Sequence, residues 1–281
     1  MVIVTPQMTL IQLKSGVCTK CHTRSTHGWP TARNGYRWDM ASNLKEATSD
    51  DVEVRLLSTP EELDEASEVL MQVWGSDTPI VTREMLRAVH HSGGYISGAY
   101  EQRRLVGASF GWLARHDDEP ALHSHVTGLL PGTRHVGLGR RMKFHQRDWA
   151  STRGICWITW TFDPLVRTNA WFNIGVLGGQ IAEYLPNFYG PMTDAINAND
   201  ESDRVLVAWR VDDSPSILNT DPSTRKEIAT PDDIVSLRKT DPQATLRWRH
   251  EVRSALSGAL ADGYVVVGFT KDGFYQLERP T

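Results

Sequence analysis

Three apolar-rich runs at 95–100, 105–114 and 122–130 follow one another closely. Only Glu101-Gln102-Arg103-Arg104 separates the first two, and the third ends on Leu129-Leu130-Pro131-Gly132-Thr133-Arg134-His135-Val136-Gly137-Leu138-Gly139-Arg140-Arg141-Met142. Short polar turns join neighbouring antiparallel strands, so these runs predict a meander. Gly137 and Gly139 then stand between the third strand and a helix predicted from 139 to about 153. Two glycines so placed let backbone approach an anion closely, while the free N–H groups and dipole of the first helical turn favour its charge. Arg140 and Arg141 add cationic donors. A pyrophosphate suits this loop, and a tight strand-to-helix connection without a ligand is the alternative. No Gly-Lys-Ser/Thr follows as in a P-loop, and the third glycine of the dinucleotide fingerprint is missing.

The flanking segments give an α/β order. Residues 52–57 alternate as a strand does, and Ser58 to Pro60 offers a cap and a first-turn proline for a helix over 60–74. Its apolar positions Leu63, Ala66, Val69, Leu70 and Val73 recur at spacings of three and four. A second helix is predicted at 82–91. After the glycine loop come a strand at 155–162, a helix at 168–175 and a strand at 204–211, closing a main domain over 51–213. Residues 214–229 read as a linker. The segment 230–281 opens on Thr230-Pro231-Asp232-Asp233, a helix start. It continues with a helix over 242–262 and two strand-like runs at 264–270 and 274–278, and is expected to pack on the main domain. Residues 1–50 lack periodicity and are rich in Thr, Ser, Arg, Gly and Asn, so they are expected to be mostly disordered. Met40, followed by Ala41-Ser42-Asn43, offers an alternative start.

Composition narrows the classes. The 281 residues are 40% hydrophobic and carry a net charge of −4, with Lys and Arg scattered rather than gathered in a stripe. That argues against nucleic acid as a partner. No stretch approaches the roughly 20 apolar residues of a membrane span, and the N-terminus lacks the parts of a signal peptide. With only Cys18, Cys21 and Cys156 there is no disulfide framework, and a cytoplasmic location is expected. Cys18-Thr19-Lys20-Cys21-His22 matches the c-type haem attachment spacing, and with His27 would make a four-ligand zinc set. Without an export signal or a supporting fold it reads as chance, and no metal is expected.

The pattern Arg134-x-x-Gly137-x-Gly139, after a meander and before a helix and strand, resembles the acyl-CoA-binding motif of the GNAT superfamily of N-acyltransferases. The resemblance covers about 53–212. Asp163-Pro164-Leu165-Val166-Arg167-Thr168-Asn169-Ala170-Trp171-Phe172-Asn173-Ile174-Gly175 looks like that superfamily's fourth helix. The chain is similar to a subgroup of predicted acyltransferases with this segment, a region like Tyr184 and Phe188-Tyr189-Gly190, Asp203-Arg204 before the last strand, and a small C-terminal extension. The resemblance implies an α/β (α+β) fold with a mixed, mostly antiparallel central sheet flanked by helices. It also implies acetyl-CoA or another acyl-CoA as co-substrate. Thr127, Gly128, Leu129 and Leu130 would pair with the pantetheine arm. The loop of Arg134, His135, Val136, Gly137, Leu138, Gly139 and Arg140 would hold the pyrophosphate. Asn173 and Ile174 stand near where many relatives carry a tyrosine acid, so that role is not carried over.

Acyl transfer to an amine needs a neutral amine, a stabilised oxyanion and a protonated leaving thiolate. His123 and His125 lie two apart on one strand, so they share a face, and either can take the amine proton. Tyr184 and Tyr189 are the candidate acids. Asn169 and Asn173 can place the pantetheine or the acceptor, or serve as local caps. Plain packing is the alternative for each histidine and tyrosine. Cys156, beside Trp157 in an apolar strand, reads as a core residue. The expected activity is direct transfer of a short acyl group to a small amine or amino acid in a ternary complex. The alternative is a non-catalytic acyl-CoA-binding module, and a homodimer is left open.

Overall fold

Thr59 opens the first helix with a complete capping box. Glu62 N–H donates to Thr59 Oγ1 at 3.3 Å, and the Glu62 carboxylate accepts from Ser58 N and Thr59 N at 2.9 and 3.0 Å. Those donors, with Arg55, hold Glu62 down to about 2. Proline at the first turn and Gly75 in the left-handed conformation (φ 59°) at the other end fix the span at Pro60–Trp74. The predicted limits of this helix are met because both of its ends are written in local chemistry.

The computed structural model describes residues 52–133, 137–190, 200–212 and 219–281. The segment 1–50, the Cys18 to His22 motif, and Arg134, His135 and Val136 lie outside the described residues. In chain order the elements are β1 (Val52–Leu56), α1 (Pro60–Trp74), α2 (Arg83–His91), β2 (Tyr95–Glu101), β3 (Arg104–His116), β4 (Glu119–Leu129), α3 (Leu138–Ser151) and β5 (Trp157–Phe162). Next come α4 (Arg167–Ala170), running into a π-helical turn (Trp171–Val176), then β6 (Gln180–Leu185) and β7 (Arg204–Arg210). The chain ends with β8 (Thr220–Ala229), α5 (Ile234–Thr240), α6 (Pro242–Ala261), β9 (Val265–Phe269) and β10 (Phe274–Pro280).

Seven strands form one sheet in the order β1-β2-β3-β4-β5-β7-β6, antiparallel except for the parallel neighbours β4 and β5. The predicted meander is β2-β3-β4. Phe110 and Val126 pack with α1 and α2 in one apolar cluster, whereas Leu129 packs with Leu138 and Met142 of α3 in another. The two clusters therefore lie on opposite faces, as alternation along a strand requires. Gly128 faces α1 so closely that a Cβ there would lie 2.6 Å from the Trp74 ring.

Two strands depart from the sequence reading. Residues 220–229, expected within a linker, are β8, which pairs with β10 at an edge of the three-stranded sheet β8-β10-β9. Their side chains stay largely exposed, so no apolar alternation marks the strand. Residues 180–185, left unassigned, are β6. A register shift between Ile181 and Glu183 puts its buried residues, Ile181 and Tyr184, three apart, which hides the period of two.

The C-terminal helices and sheet share one apolar core with the main sheet. Val252, Leu256, Tyr275 and Leu277 belong to the same cluster as Ile158, Trp160, Ile181 and Val207. Ionic contacts reinforce the junction. Asp163, just past β5, accepts from Arg249 at 2.8 and 3.0 Å and from Arg238, and both arginines also reach Asp200. All four residues are nearly or fully sealed from solvent. A buried charge needs such pairing.

Candidate active site

β4 and β5 pair at only three positions, Ala121 with Trp157, Leu122 with Ile158 and His123 with Thr159. Past these, β4 stays bonded to β3 as far as Leu129, and β5 to β7 as far as Phe162. The two strands thus part in a V whose apex is His123 and Thr159, and no strand pairs with that edge of β4 from Ser124 onward among the described residues. At the apex the β3–β4 register also slips. Phe110 opposes Val126 and Gly111 opposes Ser124, leaving His125 as the extra residue of a bulge. Bulges re-aim side chains, and this one keeps His125 beside His123.

One face of the V carries the two histidines. The imidazoles are 6.1 Å apart and both tilt against Trp112, at 5.0 Å for His123 and 4.7 Å for His125. His123 Nδ1 and Thr159 Oγ1 share a hydrogen bond of 3.3 Å. Desolvation, then the neighbouring His125 and Lys143, push His123 down to about 4, and desolvation lowers His125 as well. Both rings are therefore neutral at pH 7. His125 keeps solvent access whereas His123 is half-buried. Tyr189 joins this face, since its hydroxyl meets Thr161 Oγ1 at 3.2 Å and Thr161 shares a face of β5 with Thr159.

The opposite face, under α3, holds a buried polar chain that the sequence reading missed. Lys143 is only 5% exposed, and its ammonium donates to Ser124 Oγ at 2.8 Å and to Gln146 Oε1 at 3.3 Å. It also sits 4.1 Å above the Trp160 ring. Gln146 leads on to Ser109 at 3.5 Å, and Ser109 to Thr127 at 2.8 Å. No carboxylate pairs with Lys143 among the described residues, and burial lowers its ammonium to about 7. A lysine at an otherwise apolar helical spacing was the available signal, since Leu138, Met142 and Trp149 share its buried side.

The remaining candidates sort as follows. Gly137 is the N-cap of α3 in the left-handed conformation (φ 68°), with open space where a side chain would stand. A Cβ on Gly139 would make ordinary contacts with Leu129 and Phe172, which brings the π turn up to the start of α3. Leu129, Leu130 and Leu138 bury their side chains in the core. Leu130 N–H is already bonded to Val106 O at 2.8 Å, so it is not free for a pantetheine arm. Arg140 is exposed over Phe144. Asn169 is exposed on α4, and Asn173 is buried in the π turn. Tyr184 is not brought to the histidines. Its hydroxyl donates to Asp203 Oδ2 at 2.6 Å, and burial followed by that carboxylate raises its pKa, so its proton is committed there. Cys156 is buried, as expected. Among the described residues no group of three His, Cys, Asp or Glu side chains could hold a metal ion, and no helix is long and apolar enough to cross a membrane.

No family model matches the sequence, and no curated protein matches it. Solved structures do align. One is yncA, a putative acetyltransferase from Salmonella typhimurium with its cofactor acetyl-CoA, at 13% identity and TM-score 0.46, covering 59% of this chain and 98% of that one. Another is aminoglycoside 6'-acetyltransferase type Ii, at 18% identity and TM-score 0.47, covering 58% and 99%. A third is a putative acetyltransferase of the GNAT family from Desulfovibrio desulfuricans, at 16% identity and TM-score 0.43, covering 57% and 99%. On its own strand order, with a mixed seven-stranded sheet opened between the parallel β4 and β5 and α3 starting at the end of β4, the main part of the chain has a GNAT-like fold, to which a C-terminal three-stranded sheet is added.

Proposed function

We propose that the protein is an acyl-CoA-dependent N-acyltransferase that moves an acetyl or other short acyl group to a small amine or amino acid. The observation that carries this reading is the V between β4 and β5, with the unpaired edge of β4 leading from the α3 N-terminus to the histidine pair at the apex. An extended arm bonded to that edge, with its anionic end at Gly137 to Arg140, would bring its far end to Ser124 and His125. The bulged His125, neutral at pH 7 and open to solvent, takes the proton of the attacking amine. His123 is more deeply shielded and bonded to Thr159, so it orients its neighbour and excludes water. Direct attack requires the thioester and the amine to meet from opposite sides of the V, and the two faces of β4 supply those sides.

The test is calorimetric titration of acetyl-CoA and succinyl-CoA into wild type and Gly139→Glu. Gly139 is the better position to change, because Gly137 has a positive φ that strains any side chain. Micromolar binding that the new carboxylate weakens at least about tenfold by repulsion at the helix start is expected. Thiol release that depends on an added amine then completes the case. Absence of binding by folded wild type would sink it.

A further inference from the structure

Tyr189, one of the two candidate acids, lies on the histidine face from which the amine attacks, so the acyl-transfer reading leaves the thiolate without an acid on the α3 face. Tyr184 is committed to Asp203, and Asn173 and Ile174 stand in the π turn. Ser124 is the first residue of β4 past the last β5 pair, so its backbone lies on the open edge. Its hydroxyl accepts from Lys143 on the face opposite the histidines. Two further features distinguish this spot from plain packing. Among the described residues the sealed ammonium has no carboxylate partner, and the indole Nε1 of Trp160, the ring beneath it, has no acceptor although Trp160 is only 5% exposed. The indole donor is left unspent in a place where an unmade bond is costly, and the ammonium is held there by two neutral acceptors and a ring rather than by a counter-charge.

We propose that Ser124 is the acid that protonates the departing thiolate and that Lys143 is the positioning residue that resupplies its proton. The proposal rests on the acyl-transfer reading above. The amine nitrogen bonds to the thioester carbon and gives its proton to His125, and the C–S bond breaks with both electrons going to sulfur. The sulfur takes the Ser124 hydroxyl proton while Ser124 Oγ takes one from Lys143 Nζ. His125 ends one proton richer and Lys143 one poorer; solvent takes the first proton directly and, once CoA has left the V, returns the second to the sealed lysine through the Ser124 hydroxyl. The titratable groups on the elements around Lys143 include His123 and His125 on β4, Tyr95 on β2, and His145 and Asp148 on α3. Tyr95 and His145 are bonded to each other at 2.8 Å. Burial holds the lysine near neutrality, where it gives up a proton readily.

The experiment titrates the thiol of bound CoA by its thiolate absorbance in wild type, Lys143→Met and Ser124→Ala, beside amine-dependent turnover against pH. In wild type the bound thiol should ionise about one to three pH units below free CoA, and Lys143→Met should return it to the solution value. Ser124→Ala should lower kcat about a hundredfold with donor affinity kept, and Ser124→Thr should restore most of it. Wild-type kcat should fall as pH rises past the lysine's titration, and this alkaline limb should vanish in Lys143→Met. A bound thiol that titrates alike in wild type and Lys143→Met, with turnover intact, overturns the relay alone. Failure of wild type to bind CoA overturns the relay and the acyltransferase reading together.

Discussion

The two faces of β4 meet the same physical pressure and answer it differently. On one, desolvation keeps two imidazoles neutral at a solvent-accessible rim, and on the other it lowers an ammonium sealed beneath a helix. Burial always disfavours the charged form. For a histidine this yields a base with its lone pair free, and for a lysine it yields a proton held loosely. One strand can thereby carry a proton acceptor on one face and meet a proton donor from the helix on the other, with no carboxylate beside that donor among the described residues.

The contrast breaks most visibly if the histidine face is silenced. His125→Ala should lower kcat about a hundredfold or more, measured as amine-dependent thiol release, while acyl-CoA affinity stays near wild type. An equal loss of affinity would make His125 a packing residue. The lysine face is sharpened by stability. Lys143 titrates near 10.5 unfolded and about 7 folded, so between those values the unfolded chain holds a proton that the folded chain has released. Stability must therefore rise with pH through that window. Lys143→Met should flatten the rise and make the protein about 3 kcal/mol more stable below pH 7, read by urea unfolding at several pH values. A smaller effect isolates the tyrosine that belongs to neither face. Tyr184→Phe should cost about 1 kcal/mol of stability and leave kcat unchanged, since Asp203 keeps Arg253 and the Asn187 N–H.

Where local chemistry and periodicity agreed, the fold was legible in the sequence. α1 has a capping box and a terminal glycine, and β2 to β4 have apolar runs between tight turns. β6 and β8 were not legible, one because a bulge spaces its buried residues by three, the other because an exposed edge strand has little to alternate. In the site, the spacing of His123 and His125 announced a shared face, and the structure keeps it despite a bulge that alternation alone does not foresee. Lys143 stayed hidden because a lysine in a helix ordinarily reads as solvent-facing. Only the neighbouring strands, distant in sequence, show that it is enclosed by Ser124 and Trp160. Tyr184 misled for the converse reason, since its partner Asp203 had already been noticed without any way to join the two.

The buried quartet of Asp163, Asp200, Arg238 and Arg249 bears on how the chain can be divided. Asp163 terminates the strand that forms one wall of the V, yet two of its partners come from α5 and α6. A chain ending after β7 would leave that carboxylate without Arg238 and Arg249 and would bare the apolar residues that meet α6. The part that looks self-sufficient by fold is therefore expected to aggregate or unfold when expressed alone, and attempts to trim the protein to its seven-stranded part should begin by neutralising Asp163.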